Sequence, residues 1–280
     1  MKSPSRFTFH VSRFRGFTLL ELLVVISIIG VLAALAVPIF NSFKPNVVQA
    51  GTRQLLDDVA RARQLAISQR TTVYMVFVPP TNYLNVWTDP IGINTWSAAD
   101  RGKATNLLDK QMIAYNYVSV RSLGDQPGRP TTRYLSSWKT LPDGVWIANE
   151  KFGPRLQANP MMNISTNDPS GNPVLAMRIL GFTRTNTIPF PAEDTVANGQ
   201  GKYVTLPYIA FNYLGQLITG QNELIPIAKG AVVFGHDPNG HPTGSMTVRE
   251  SPPGNTSNAF NVVNIDWLTG RARLERQEVQ

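Results

Sequence analysis

Residues 17–40, FTLLELLVVISIIGVLAALAVPIF, constrain this chain more than any other segment. From Leu22 to Phe40 there are 19 residues without one ionisable side chain. As a helix that run is about 28 Å long, close to the hydrocarbon thickness of a bilayer. Ahead of it, Lys2, Arg6, Arg13 and Arg15 place four positive charges, and no acid, before Gly16. Such a leader is expected to stay cytoplasmic, with everything after Phe40 outside. A secretory leader fits poorly, because its apolar core is usually ~7–15 residues and its exit is marked by small residues. Here the alanines at 33, 34 and 36 run straight into Val37-Pro38-Ile39-Phe40. A plain anchor accounts for all of this except Glu21. A carboxylate in a spanning helix needs water, a proton or a partner, and costs about 3 kcal/mol if placed centrally. Glu21 could rest at the interface. Alternatively, a cut after Gly16 would free an α-amine on Phe17, and an amine–carboxylate pair between neighbouring subunits would set their axial register.

The run Arg15-Gly16-Phe17-Thr18-Leu19-Leu20-Glu21-Leu22-Leu23 resembles the prepilin peptidase signal of type IV pilins and type II secretion pseudopilins. The resemblance implies cleavage after Gly16, methylation of the new N-terminal Phe17, and a role for Glu21 in subunit docking. Pro38 falls where such helices loosen, and proline removes a backbone donor and bends or breaks a helix. These expectations divide the chain into a basic leader, 1–16, a transmembrane and filament-core helix, 17–40, and an amphipathic continuation, 41–70. A β-rich head, 71–280, follows.

In the continuation, Leu55, Val59, Ala62 and Ala66 form an apolar stripe at helical spacing, widened by Leu56 and Leu65. Asp57 and Arg61 lie on the opposite side, in the favourable i,i+4 order. Residues 17–70 therefore read as one long helix with a weak joint at 38–45, its second half packing on a sheet. After Gln69 the pattern becomes that of strands. Candidates are Thr72–Val78, its return Tyr83–Thr88, Met112–Val120, Gly144–Ala148, Val174–Leu180, Tyr203–Phe211, Leu214–Ile218, Ala231–Phe234, Ser245–Arg249, Phe260–Trp267 and Ala272–Leu274. Proline and glycine punctuate nearly every gap, favouring short antiparallel strands. Residues 121–133, 157–173 and 235–244 read as loops. The expected class is α+β: a long N-terminal helix packed on a mainly antiparallel head of two sheets.

The helix segment Ala60–Ala66, the stretch Ile209-Ala210-Phe211-Asn212-Tyr213-Leu214-Gly215, and Val263–Arg271 with its Gly270-Arg271 turn together resemble H-type minor pseudopilins (GspH) and FimT-like minor pilins. The chain departs from the usual compactness of that group between about 89 and 205, which stays unassigned. The absence of a C-terminal cysteine pair also departs from major type IVa pilins.

The chain has no cysteine, which excludes disulfide scaffolds, thiolate metal sites and cysteine nucleophiles. With 42% hydrophobic and 16% charged residues it is not a wholly disordered chain. The net charge of +8 is half a property of the leader, since the other 22 of the 26 Lys and Arg face 18 Asp and Glu. His236 and His241 flank Asp237-Pro238-Asn239-Gly240, a turn composition before it is a metal site. Asn167-Asp168-Pro169-Ser170-Gly171-Asn172 lacks the spacing of a calcium loop. Neither a nucleophile elbow nor a phosphate-binding glycine loop is present, so no catalysis, metal or cofactor is expected.

On a strand, Arg271 and Arg273 would point to one face about 7 Å apart, near the spacing of backbone phosphates. Gly270-Arg271-Ala272-Arg273 resembles the contact motif of FimT-like minor pilins that take up DNA. DNA is therefore a second, less favoured partner, against which stand Glu275 and Glu278. The favoured expectation is a minor pseudopilin or pilin subunit, handled by prepilin peptidase and held in the inner membrane. It would then assemble with other pilins through an inner-membrane platform. A processed envelope protein whose head binds a ligand is the remaining class.

Overall fold

The computed structural model describes residues 18–42, 47–80, 97–121, 124–126, 128–152, 162–167, 173–179, 181–182, 184–193, 203–236, 242–253 and 261–276. They fall into two compact units, Met1–Pro45 and Asn46–Gln280. In the first, α1 spans Leu19–Ser42, with side chains described as far as Leu32. That described part is about 21 Å of helix. Among the described residues no helix is long and apolar enough to cross a membrane.

The second unit opens with α2 (Val47–Gln69) and β1 (Val73–Phe77), then α3 (Ala98–Leu108) and β2 (Ala114–Ser119). Short strands β3 (Arg133–Tyr134), β4 (Lys139–Thr140) and β5 (Val145–Ile147) precede a 3-10 turn at Asn149–Phe152. After these come β6 (Met162–Asn167), β7 (Pro173–Ile179), β8 (Thr185–Pro189) and β9 (Tyr203–Phe211). The unit ends with β10 (Glu223–His236), β11 (Pro242–Glu250), β12 (Asn261–Ile265) and β13 (Ala272–Arg276). One sheet has the order β3-β2-β1-β9-β8, with β4 also on β2; the other has β11-β10-β12-β13, with β5 also on β10. Every pairing is antiparallel, and β6–β7 form a separate hairpin.

The second helix packs on strands of both sheets. Its expected stripe, Leu55, Val59, Ala62 and Ala66, is fully buried, while Asp57 and Arg61 face outward. Near its start, a Cβ at Gly51 would come within 2.8 Å of a Val145 methyl, so glycine lets β5 approach the helix. Polar contacts fix the rest. The buried carboxylate of Asp58 accepts from the hydroxyls of Tyr115 and Tyr117 on β2 and from Lys139 Nζ on β4. Gln54 Nε2 donates to the Tyr115 hydroxyl at 3.0 Å and to Thr140 O at 2.7 Å. Burial, and then the Asp58 carboxylate, hold both phenols protonated, well above the ordinary tyrosine range. Farther along, Arg63 Nε donates to Thr269 O at 2.8 Å and to Gly215 O at 3.2 Å, joining a turn of each sheet.

The stretch that sequence left unassigned carries much of this core. Ser97 caps α3, accepting from Asp100 N at 3.2 Å, and the helix buries Ala104, Leu107 and Leu108. The Tyr134 hydroxyl donates to Pro189 O at 2.5 Å, and Trp138 Nε1 to Pro191 O at 3.0 Å, tying the β3–β4 segment to the end of β8. Lys151 and Glu223 make a buried ion pair, with Lys151 Nζ 4.8 Å from the centre of the Phe182 ring.

Several expectations are corrected. Leu214–Ile218 is not a strand, because Asn212 Oδ1 accepts from Leu214 N (2.9 Å) and Gln216 N (3.0 Å) and curls the chain into a turn; only an isolated bridge, Phe211 to Leu217, remains. Residues 162–167, part of the Pro/Gly/Asn-rich stretch 157–173 read as loop, pair as β6 with β7. The strand expected at Ala231–Phe234 is the second half of the longer β10. Helix α1 continues through Pro38 to Ser42, and α2 starts at Val47; residues 43–46 and the candidate strand Tyr83–Thr88 lie outside the described residues.

The joint under Arg63 yields a direct test. Gly270 has φ +62°, and a Cβ there would lie 1.9 Å from Gly215 O. Gly220 has φ +68° but open space around it. Gly270→Ala should therefore destabilise by more than about 2 kcal/mol, against roughly 1 kcal/mol for Gly220→Ala, read by thermal or urea unfolding. Equal losses would show that the close contact carries no weight.

Candidate functional site

Two regions hold the residues singled out by sequence. The first is the start of α1. Thr18 caps the helix, its Oγ1 accepting from Glu21 N at 3.2 Å while its carbonyl accepts from Leu22 N at 3.1 Å. Glu21 thus lies in the first turn, where a carboxylate is favoured by the helix dipole. Its carboxylate is exposed and has no partner among the described residues. Beyond it the large apolar side chains from Leu22 to Leu32 are exposed on every side of the helix. The one hydroxyl among them, Ser27 Oγ, donates to Leu23 O at 2.8 Å, so the helix satisfies it internally. Such a surface is soluble neither alone nor in part; it requires lipid or other apolar helices. Gly16 and Phe17 lie outside the described residues.

The second region is the turn between β12 and β13. Asp266 Oδ1 accepts from Thr269 N and from Thr269 Oγ1, each at 2.7 Å, and Gly270 N donates to Asp266 O at 2.8 Å. These bonds, the Thr269 hydroxyl first, hold the Asp266 carboxyl below the usual carboxylate range. Gly270 is buried against Gly215, and Arg271 and Arg273 follow it as exposed residues. Arg271 stands just before β13 and Arg273 lies within it, where its Nη2 pairs with Glu275 Oε1 at 3.0 Å. Glu275 in turn accepts from Asn264 Nδ2 at 2.7 Å. The structure gives the glycine of this motif a packing role and neutralises one of its two arginines. Of the histidine turn, His236 ends β10, while Asp237 and His241 lie outside the described residues, as does most of Asn167–Asn172.

Three groups escaped the sequence reading. Asp58 was hidden by its neighbour Asp57, and its partners stand far along the chain. Arg63 looked like one more surface cation on α2. Arg70, in a cleft at the end of the same helix, carried no motif.

Comparison with known proteins agrees at the N-terminus. Residues 11–37 match the family described as the prokaryotic N-terminal methylation motif. The chain is also similar to the type IV major pilin protein PilA of Myxococcus xanthus, 41% identical over 65 residues, which is 22% of this chain and 30% of that protein. The type IV minor pilin FimU of Pseudomonas aeruginosa aligns over 83% of this chain and 90% of its own, with 10% identity and a TM-score of 0.31. The N-terminal segment of this chain is type IV pilin-like and carries the methylation motif.

Because Asp266 titrates low in the folded state, the stability it contributes is present above about pH 4 and is lost as pH falls through its folded value. Asp266→Asn should lower the unfolding midpoint at neutral pH. The gap from the parent protein should narrow progressively as the pH falls below about 4. A gap that stays constant with pH would contradict the role given to the carboxylate.

Proposed function

We propose that this chain is a minor pilin- or pseudopilin-like structural subunit, processed after Gly16 and assembled through its N-terminal helix. The observation that carries the reading is a helix apolar on all sides whose sole ionisable group, Glu21, sits in the first turn of a matched methylation motif. Prepilin peptidase would remove residues 1–16 and methylate Phe17. Before assembly the run through Phe40 lies in the inner membrane, with the head outside. Assembly, driven by an inner-membrane platform, transfers the helix from lipid to a bundle of like helices, so that apolar burial is kept. Glu21 would meet the α-amine of a neighbouring subunit, where a low dielectric strengthens their attraction. Its role is associative, without catalysis.

Whether the machine is a type IV pilus or a type II secretion filament turns on partners, and the departure between 89 and 205 is where the heads would differ. A DNA-binding subunit using Arg271 and Arg273 is the second reading. The ion pair of Arg273 with Glu275 weakens it, and double substitution of both arginines by alanine should leave any affinity for duplex DNA largely unchanged.

Gly16→Ala is expected to leave a full-length membrane protein on immunoblots of cells carrying the peptidase. Mature-sized product from that variant would overturn the leader assignment. Glu21→Ala should be cleaved normally yet enter sheared filaments at a small fraction of the parent level. Undiminished incorporation would remove Glu21 from assembly.

A further inference from the structure

At the C-terminal end of α2, two features unused by the filament reading lie side by side. The first is a cleft of about 460 Å3, whose lining includes Arg70, Arg121, Tyr74 and Tyr213. Arg70 N donates to Ile67 O at 3.3 Å and Thr71 N to Ala66 O at 3.2 Å, the paired bonds that close a helix around a left-handed residue. That residue is normally glycine. Here it is Arg70, at φ +49°, so its side chain is kept at a steric cost to the backbone. Arg121 is held by its own backbone, its carbonyl accepting from Thr71 Oγ1 and Ser119 Oγ, each at 2.6 Å. Neither guanidinium has a partner among the described residues.

The second feature is an apolar patch. Ile67, Tyr213, Leu214, Trp267 and Leu268 are each at least 40% exposed. The two turns that carry the last four are locked together by Arg63 and by Leu217 N donating to Trp267 O at 2.9 Å. Ile67 abuts Gly215 in the first turn, and Tyr213 lines the cleft, so patch and cleft are continuous.

We propose that this end of the head is a docking site for an acidic, apolar segment of a partner protein. Carboxylates of that segment enter the cleft against Arg70 and Arg121, and its apolar side chains cover the two turns. The charge complement is specific to an acidic partner, because among the described residues the two guanidinium groups facing the cleft are unpaired and no carboxylate lines it. Tyrosine, tryptophan and arginine gathered on a rigid surface are the residues that anchor protein interfaces. A nucleic acid would use the arginines and aromatic rings but gain little from Ile67, Leu214 and Leu268.

The test is to pan a random-sequence peptide display library on the full-length protein in detergent micelles, with depletion on an Arg70→Gly/Arg121→Ala variant. Enriched sequences should combine Asp or Glu with aromatic or branched aliphatic residues. The corresponding labelled peptides should bind the parent protein about tenfold or more tighter than that variant or Tyr213→Ala/Trp267→Ala. Arg70→Gly alone should be no less thermally stable than the parent, because glycine relieves the left-handed backbone. Failure to enrich any sequence, enrichment of sequences without acids, or equal binding to the variants would overturn the proposal. So would a less stable Arg70→Gly protein, which makes Arg70 a structural residue. Labelled single-stranded or duplex oligonucleotides that bind in ~0.15 M salt and lose affinity in the arginine variant, where no peptide does, would reassign the site to nucleic acid.

Discussion

Helix α2 packs on two sheets whose described strands do not pair with one another, and the order of the head depends on how it is held. Its apolar stripe supplies burial without direction. Direction comes from two polar groups on the same helix. Asp58 takes three donors from β2 and β4, and Arg63 reaches one carbonyl in a turn of each sheet. A buried carboxylate stripped of donors, or a turn carbonyl left dry, costs more than the bond itself contributes, so these contacts discriminate against slipped packings.

The same joint changes the meaning of the Gly-Arg turn. In the sequence Gly270-Arg271-Ala272-Arg273 stands out as a cationic motif near the chain end. In three dimensions its glycine is needed because Gly215 presses against it, and Arg273 is occupied by Glu275. Arg70 has the opposite history. It belongs to no motif, yet it holds a position whose backbone asks for glycine, and that contradiction between local preference and residue identity points to its side chain.

What was legible in the sequence was what is local. The stripe of α2, the strand Tyr203–Phe211 with its observed bounds, and the first-turn placement of Glu21 each follow from periodicity or short spacing. Asp58 could not be found that way, since its donors stand 57, 59 and 81 residues away. The turn at Leu214–Ile218 was missed because an apolar β-forming composition was outweighed by one asparagine side chain. Helix α3 had a local signature, Ser97 three residues before Asp100, but lies in a stretch where weak periodicity gave nothing to set it against.

The N-terminal helix and the head answer different physical demands, one to be surrounded by apolar neighbours and the other to present a fixed polar surface. In the proposed account the link between them is processing, since a cut after Gly16 would free a Phe17 amine as a partner for Glu21. The most direct measurement is the intact mass and N-terminal sequence of the protein isolated from membranes of cells that make the peptidase. The account predicts a chain that begins at Phe17 and carries one added methyl group. A chain that still begins at Met1, or one cut within Ala33–Ala36, would contradict it.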